Sequence, residues 1–147
     1  MLFRSGMDDA VLEMQQQRAL KLQNDMAEIR VRQMQEQERK INISRALANL
    51  AAQINRTAPK MVDTSTRLDG AVAAPERFTY YFTIISMQAD QISPALKANM
   101  ASKLRSTSCN DASLRATLNN GVSLGYSYRD RSGIDTFAVT VIQSDCR

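Results

Sequence analysis

Residues 109–146 read CNDASLRATLNNGVSLGYSYRDRSGIDTFAVTVIQSDC, and this segment decides how the 147-residue chain can fold. Leucines at helical spacing run up to Asn119-Asn120-Gly121, where the glycine is typical of a helix end. Apolar and polar residues then alternate from residue 122 to residue 129, as in a strand with one buried face. A turn containing Gly133 precedes a last strand, whose apolar face is formed by Phe137, Val139 and Val141. The segment therefore predicts one helix followed by a β-hairpin.

The only two cysteines of the sequence stand at the ends of this segment and allow two interpretations. After a predicted loop at residues 106–108, Cys109 is expected to open a helix, while Cys146 closes the last strand. A disulfide between them would keep the terminal strand from fraying and contribute about 4 kcal/mol in the chain-entropy model. The alternative is a pair of buried thiols. Disulfides persist in oxidising compartments, so the first interpretation predicts a periplasmic or cell-envelope protein and the second a cytoplasmic one.

The N-terminal residues do not form a recognisable secretion signal. Residues 1–7, MLFRSGM, lack the apolar core of 7–15 residues that a secretory signal needs. No run of 18 apolar residues occurs, so no membrane span is predicted. The periplasmic interpretation therefore predicts a signal or membrane anchor upstream of this sequence, with residues 1–6 as a candidate non-native addition.

A long helix is predicted from Asp8, because no glycine or proline follows until Pro59. A seven-residue register gives a first apolar stripe, and it is separated from a second apolar group by the polar residues 33–40. We expect residues 1–40 to project as a helix and residues 41–147 to form the α+β domain. The helix stripe is predicted to bind a partner helix or a second copy as a short coiled coil, with a solvated strut as the alternative. It consists of Leu12, Ala19, Leu22, Met26 and Ile29.

The middle of the chain predicts two strands and one more helix. Residues 67–73 and 78–85 are strand-like, and the second is rich in aromatic and β-branched residues. On the strand at residues 78–85, Tyr81 and Ile85 share the face opposite Phe78, so they form a candidate partner-binding face. Ser93-Pro94 is typical of a helix start. We therefore expect an α+β fold with a four-stranded antiparallel sheet, two helices on one face and the long N-terminal helix.

The composition argues against catalysis and against binding of metals or nucleic acids. There is no histidine, which removes the usual general base and metal ligand. The five glycines do not form a phosphate-binding loop. The net charge is +4 without a basic stripe, which does not favour nucleic acid. The sequence therefore predicts no enzyme activity, no cofactor and no nucleic-acid partner.

The segment from residue 55 to residue 146 resembles the α/β class of type II secretion pilotins. The resemblance rests on a cysteine near a helix start, a helix ending at Gly121, a Tyr-x-Tyr strand, an Asp-x-x-Gly turn and the closing Cys146. Uncharacterised bacterial envelope proteins share the run Asn-x-x-x-Pro-x-x-Val-Asp-x-x-Thr-Arg-Leu-Asp, which begins here at Asn55. The resemblance implies an α/β domain with one disulfide. Pilotins of this family are lipoproteins that bind a helical tail of the outer-membrane secretin.

Three functions agree with these observations. The first is a non-catalytic, pilotin-like module of the bacterial envelope that docks a peptide or protein partner and reaches the membrane only through an anchor absent from this sequence. The second is a structural or assembly protein that self-associates through its N-terminal helix. The third is a small inhibitor or immunity protein.

Overall fold

A computed structural model describes residues 2–147, with side chains from Gly6 onward. The chain forms two compact units, divided between Ile41 and Asn42. Helix α1, Leu2–Thr57, contributes to both units and confirms the predicted long N-terminal helix. In the first unit this helix exposes many large apolar side chains, including Leu22 at 61% and Ile29 at 51% of their surface.

The second unit contains a five-stranded sheet in the order β1-β2-β3-β4-β5. Its strands are β1 (Lys60–Met61), β2 (Thr66–Ala74), β3 (Arg77–Ile84), β4 (Ser123–Arg129) and β5 (Asp135–Val141). Neighbouring strands pair antiparallel, except that β3 and β4 are parallel.

The predicted sheet of four antiparallel strands is therefore wrong in two respects. Lys60 and Met61, for which no strand was predicted, form the short strand β1 against Arg67 and Leu68. The chain from β3 to β4 passes through two helices, and such a crossover returns it to the same end of the sheet, which makes the two strands parallel.

The remaining helices are α2, Pro94–Asn110, and α3, Ala112–Asn119, with short 3₁₀ segments at Ala89–Gln91 and Gln143–Cys146. The hydroxyl of Ser93 accepts a hydrogen bond from the Leu96 N–H and caps α2, as its position before a proline predicted. Asp111 caps α3 in the same way. The helix end at Gly121 is confirmed too, since this residue has a positive φ of 83°.

The disulfide between Cys109 and Cys146 is confirmed, although both cysteines lie on other elements than predicted. The residues expected as a loop, 106–108, are helical, so Cys109 lies in the last turn of α2 instead of opening a helix. Cys146 ends the 3₁₀ segment that follows β5, beyond the last strand. The bond therefore joins the end of α2 to the C-terminal segment.

One face of the sheet forms the core with the helices. Six aromatic rings follow one another across β3, β4 and β5, with successive centroids 4.8–6.4 Å apart. They are Phe78, Tyr80, Phe82, Tyr126, Tyr128 and Phe137. Leu47 and Ala51 of α1 and Leu118 of α3 are buried in the same cluster. This arrangement follows from the period-two pattern of the strands, which puts these rings on the same face.

Asp130 directly follows β4 and organises the turn to β5. One carboxylate oxygen accepts the backbone N–H groups of Ser132 and Ile134, and the other accepts that of Ala89. The hydrogen bond from Ile134 is the largest of the effects that lower the pKa of Asp130. This carboxylate therefore ties the β4–β5 turn to the segment that precedes α2.

Candidate functional site

An open groove of about 330 Å³ lies between the C-terminal part of α1 and helix α3. The sheet forms its floor through Phe78 and Leu124, which are almost completely buried. Leu47 and Leu50 line it from α1, and Leu114 lines it from α3. Leu50 remains 38% exposed. We call this site the α1–α3 groove; all of its residues belong to the second unit.

The local sequence explains why these side chains converge. Leu47 and Leu50 are three residues apart on α1 and so share one side of the helix. The parallel pairing of β3 and β4 sets Phe78 beside Leu124 and Tyr80 beside Tyr126. Leu114 follows the capping residue of α3 by one turn.

Polar groups line the groove beside its apolar floor. They belong to Tyr80, Asp111, Ser113 and Thr117. The Thr117 hydroxyl donates to the backbone carbonyl of Ser113 at 3.0 Å. Oδ1 of Asp111 accepts from the backbone N–H of Leu114 at 3.0 Å. Within residues 6–147, Oδ2 of Asp111 and the hydroxyl of Tyr80 have no further hydrogen-bond partner.

The tyrosines near the groove remain neutral at physiological pH. Burial, with smaller contributions from Tyr126 and the carboxylate of Asp111, raises the pKa of Tyr80 to about 12. Burial also raises the pKa of Tyr126, although its 2.7 Å hydrogen bond with the Ser108 hydroxyl acts in the opposite direction. The carboxylate of Asp111 is therefore the one charge among the side chains that line the groove.

A second open cavity, of about 350 Å³, lies on the other face of the sheet and includes the predicted Tyr81. Its amide, carboxylate and guanidinium groups already have partners. The Asn55 amide pairs with the backbone N–H and carbonyl of Ala71 at 2.8 and 2.9 Å. Asp69 pairs with Arg67, and Arg129 donates to Asp135 at 3.1 Å. This cavity therefore offers fewer free polar groups at its wall.

The structure separates the residues that the sequence proposed as binding sites. Tyr81 lines the second cavity, whereas Ile85 lines neither cavity described here, although it is 39% exposed. The helix stripe lies in the first unit, and its five residues are exposed. The partner-binding roles of these residues stay predictions.

The α1–α3 groove was not predicted from the sequence, although the spacing of apolar residues indicated the leucines that line it from both helices. The missing information was that β3 pairs with β4, because only that pairing brings Phe78 and Leu124 together. The capping position of Asp111 was the one sequence signal for a charge at this site.

Residues 2–147 contain no group of three or more His, Cys, Asp or Glu residues placed to hold a metal ion. Nor does this part of the chain include a helix with the length and apolar character needed to cross a bilayer.

The sequence matches no protein-family model, and no curated protein is significantly similar to it. The fold, in contrast, is similar to solved structures. The pilotin EpsS of the Vibrio vulnificus type 2 secretion system has a TM-score of 0.63 at 16% identity, over 75% of this chain and 96% of that one. The type II secretion pilotin AspS of Vibrio cholerae has a TM-score of 0.58 at 18% identity, over 74% and 96%.

A Pseudomonas aeruginosa protein described as secreted also has this fold, with a TM-score of 0.65 at 15% identity, over 74% of this chain and 96% of that one. The resemblance to α/β pilotins predicted from residues 55–146 is therefore confirmed as a likeness of fold. At such low identity the likeness concerns the fold alone.

Proposed function

We propose that this chain is a non-catalytic, pilotin-like protein-binding module of the bacterial envelope, which docks a partner peptide or protein in the α1–α3 groove. The observation that carries the proposal is the groove itself, with an apolar floor, a partly exposed Leu50 and a few polar groups. Apolar grooves of this kind accept the apolar face of an amphipathic helix, whose anchors recur every three or four residues. The fold that the chain shares with two type II secretion pilotins supports the same role.

The chemistry of the groove favours a binding role over catalysis. Asp111 carries the one carboxylate that lines the groove. No histidine or thiol lines it that could act as a second acid, base or nucleophile. Its hydroxyl groups belong to Tyr80, which keeps its proton, to Thr117, which donates to the Ser113 carbonyl, and to Ser113, which has no histidine beside it in the groove. We therefore assign no enzyme activity to this site.

The proposed location is the periplasm or another part of the cell envelope. The disulfide between Cys109 and Cys146 supports it, because such bonds persist in oxidising compartments and are rare in the cytosol. The likeness to a protein described as secreted agrees with this location.

Replacing Leu50 by Asp is expected to weaken docking at least about tenfold, because a charge would meet the apolar side of the bound segment. The measurement uses 16-residue amphipathic helices from a display library, selected on the wild-type chain and then titrated by fluorescence anisotropy. Since Leu50 is partly exposed, the variant should keep its fold, which circular dichroism checks.

Tyr81→Ala is the matched control, because it changes a partly exposed aromatic side chain on the opposite face of the sheet. The selected helices should bind this variant as they bind the wild type. Helices that lose affinity for Tyr81→Ala and keep it for Leu50→Asp would move the docking site to the second cavity and contradict the proposal.

We also propose, as a second candidate function, self-association through the helix stripe. The observation that favours it is the row of apolar side chains exposed on the first unit, from Leu12 to Ile29. Such side chains gain roughly 1.5–3 kcal/mol each when a partner covers them. The stripe includes Ala19 and is short, so the expected affinity is micromolar.

Sedimentation equilibrium of the full chain and of a fragment starting at Asn42 tests this candidate. The full chain should associate at micromolar concentration, whereas the fragment should be a folded monomer, since the second unit contains its own core. Replacing Leu22 and Ile29 by Asp in the full chain should abolish association without a change in melting temperature. An unfolded fragment, or a large loss of stability in the double variant, would show that the first unit belongs to the core.

A further inference from the structure

We infer that the α1–α3 groove selects a partner segment that carries a lysine or arginine beside its apolar anchors, with Asp111 as the residue that recognises the positive charge. The inference rests on the proposed docking function and names the chemistry of the partner.

The position of Asp111 is fixed by the fold. Its Oδ1 caps α3 by accepting the Leu114 N–H, and its backbone is extended, with φ −79° and ψ 126°. The carboxylate therefore stays at the groove, and Oδ2 remains free within the described residues to accept a donor from a partner.

Within residues 6–147, no lysine or arginine forms a salt bridge with this carboxylate. The nearest basic residue on α3, Arg115, donates to the side chain of Asn119 at 3.3 Å and to the backbone carbonyl of Cys146 at 3.5 Å. Its guanidinium is thus directed toward the C-terminal 3₁₀ segment. The groove is lined by no lysine or arginine, so a bound segment meets a site with one negative charge.

The other polar groups of the groove also favour a basic residue on the partner. The phenol of Tyr80 stays protonated and neutral, and its oxygen can accept a further hydrogen bond from an ammonium or guanidinium group. The N-terminus of α3 would attract an anion, but Asp111 already occupies that position. An acidic partner residue would therefore be repelled, whereas a basic one would gain a charge-assisted hydrogen bond.

The experiment uses three synthetic 16-residue amphipathic helices that differ at one position beside the apolar anchors, which carries Lys, Gln or Glu. On the wild-type chain we expect the Lys helix to bind about threefold to tenfold more tightly than the Gln helix, and the Glu helix to bind more weakly still. This order should weaken as the salt concentration rises.

Asp111→Asn is the decisive variant, because asparagine caps a helix as well as aspartate does and removes only the charge. In this variant the preference for the Lys helix over the Gln and Glu helices should be lost. If the Asn variant melts earlier than the wild type, Asp111→Ser, which also preserves the cap, replaces it in the titration.

Two outcomes would overturn the inference. Equal affinities of the three helices for the wild-type chain would mean that the groove docks helices without discriminating between their charges. A preference for lysine that persists in Asp111→Asn would place the recognition elsewhere. Failure of all three helices to bind would contradict the docking function itself, and this inference with it.

Discussion

Replacing both Cys109 and Cys146 by alanine is expected to lower the free energy of unfolding by about 4 kcal/mol. The bond closes a loop with a sequence separation of 37 residues, which includes α3 and the β4–β5 hairpin. Cross-linking so long a loop restricts the unfolded chain strongly, and its loss restores that conformational entropy. A domain of this size has a total stability of roughly 5–15 kcal/mol, so the variant would be marginally folded at 37 °C.

Urea denaturation of the second unit measures this loss. The double alanine variant and the wild-type chain treated with a reducing agent should have similar midpoints, because both lack the same cross-link. Ser144→Ala, an exposed change in the same C-terminal segment, provides the control and should leave the midpoint unchanged. A double variant as stable as the wild type would show that the C-terminal segment is held in place by packing alone.

Local signals in the sequence predicted the helix ends well. Ser93 caps its own helix and Gly121 adopts a positive φ, and both features depend on residues close by in the sequence. The secondary structure around Cys109 was harder to predict. No glycine or proline interrupts α2 between Pro94 and Asn110, and its serines and threonine were misread as a loop because they also occur in turns.

The direction of strand pairing could not be read from the alternation of apolar residues. That alternation tells which side chains of β3 and β4 share a face, but it is the same for parallel and antiparallel neighbours. The parallel pair arises from the two helices between these strands, a long-range consequence of the topology. Strand β1 has only two residues and hence no period.

The candidate site depended on this missing information. The spacing of apolar residues indicated the helical leucines, but the groove also requires α1 and α3 to lie on either side of the buried Phe78 and Leu124. The distance between two helices over a sheet depends on tertiary packing, to which no local sequence pattern corresponds. Asp111 stands at a position where a helix cap is common, whereas its place beside the groove follows from tertiary packing.

Replacing Phe78 by alanine is expected to destabilise the second unit by about 3–5 kcal/mol. The ring is completely buried and contacts Tyr80 edge to face, with centroids 5.0 Å apart. Its removal forfeits the transfer free energy of the ring and leaves a cavity between the sheet and the helices that cannot collapse fully. The aromatic contact itself adds to the loss, since such pairs contribute about 0.5–1.5 kcal/mol beyond the buried area.

Tyr81→Ala offers a matched comparison, because Tyr81 lies on the same strand and faces the opposite side of the sheet. Tyr81 is partly exposed, so its truncation should cost only about 1 kcal/mol, and urea denaturation of both variants measures the difference. This asymmetry follows from a sheet that packs its helices on one face only. Equal losses for Phe78→Ala and Tyr81→Ala would mean that both faces are buried in solution, in which case the second cavity would be covered and the exposed role predicted for Tyr81 would be wrong.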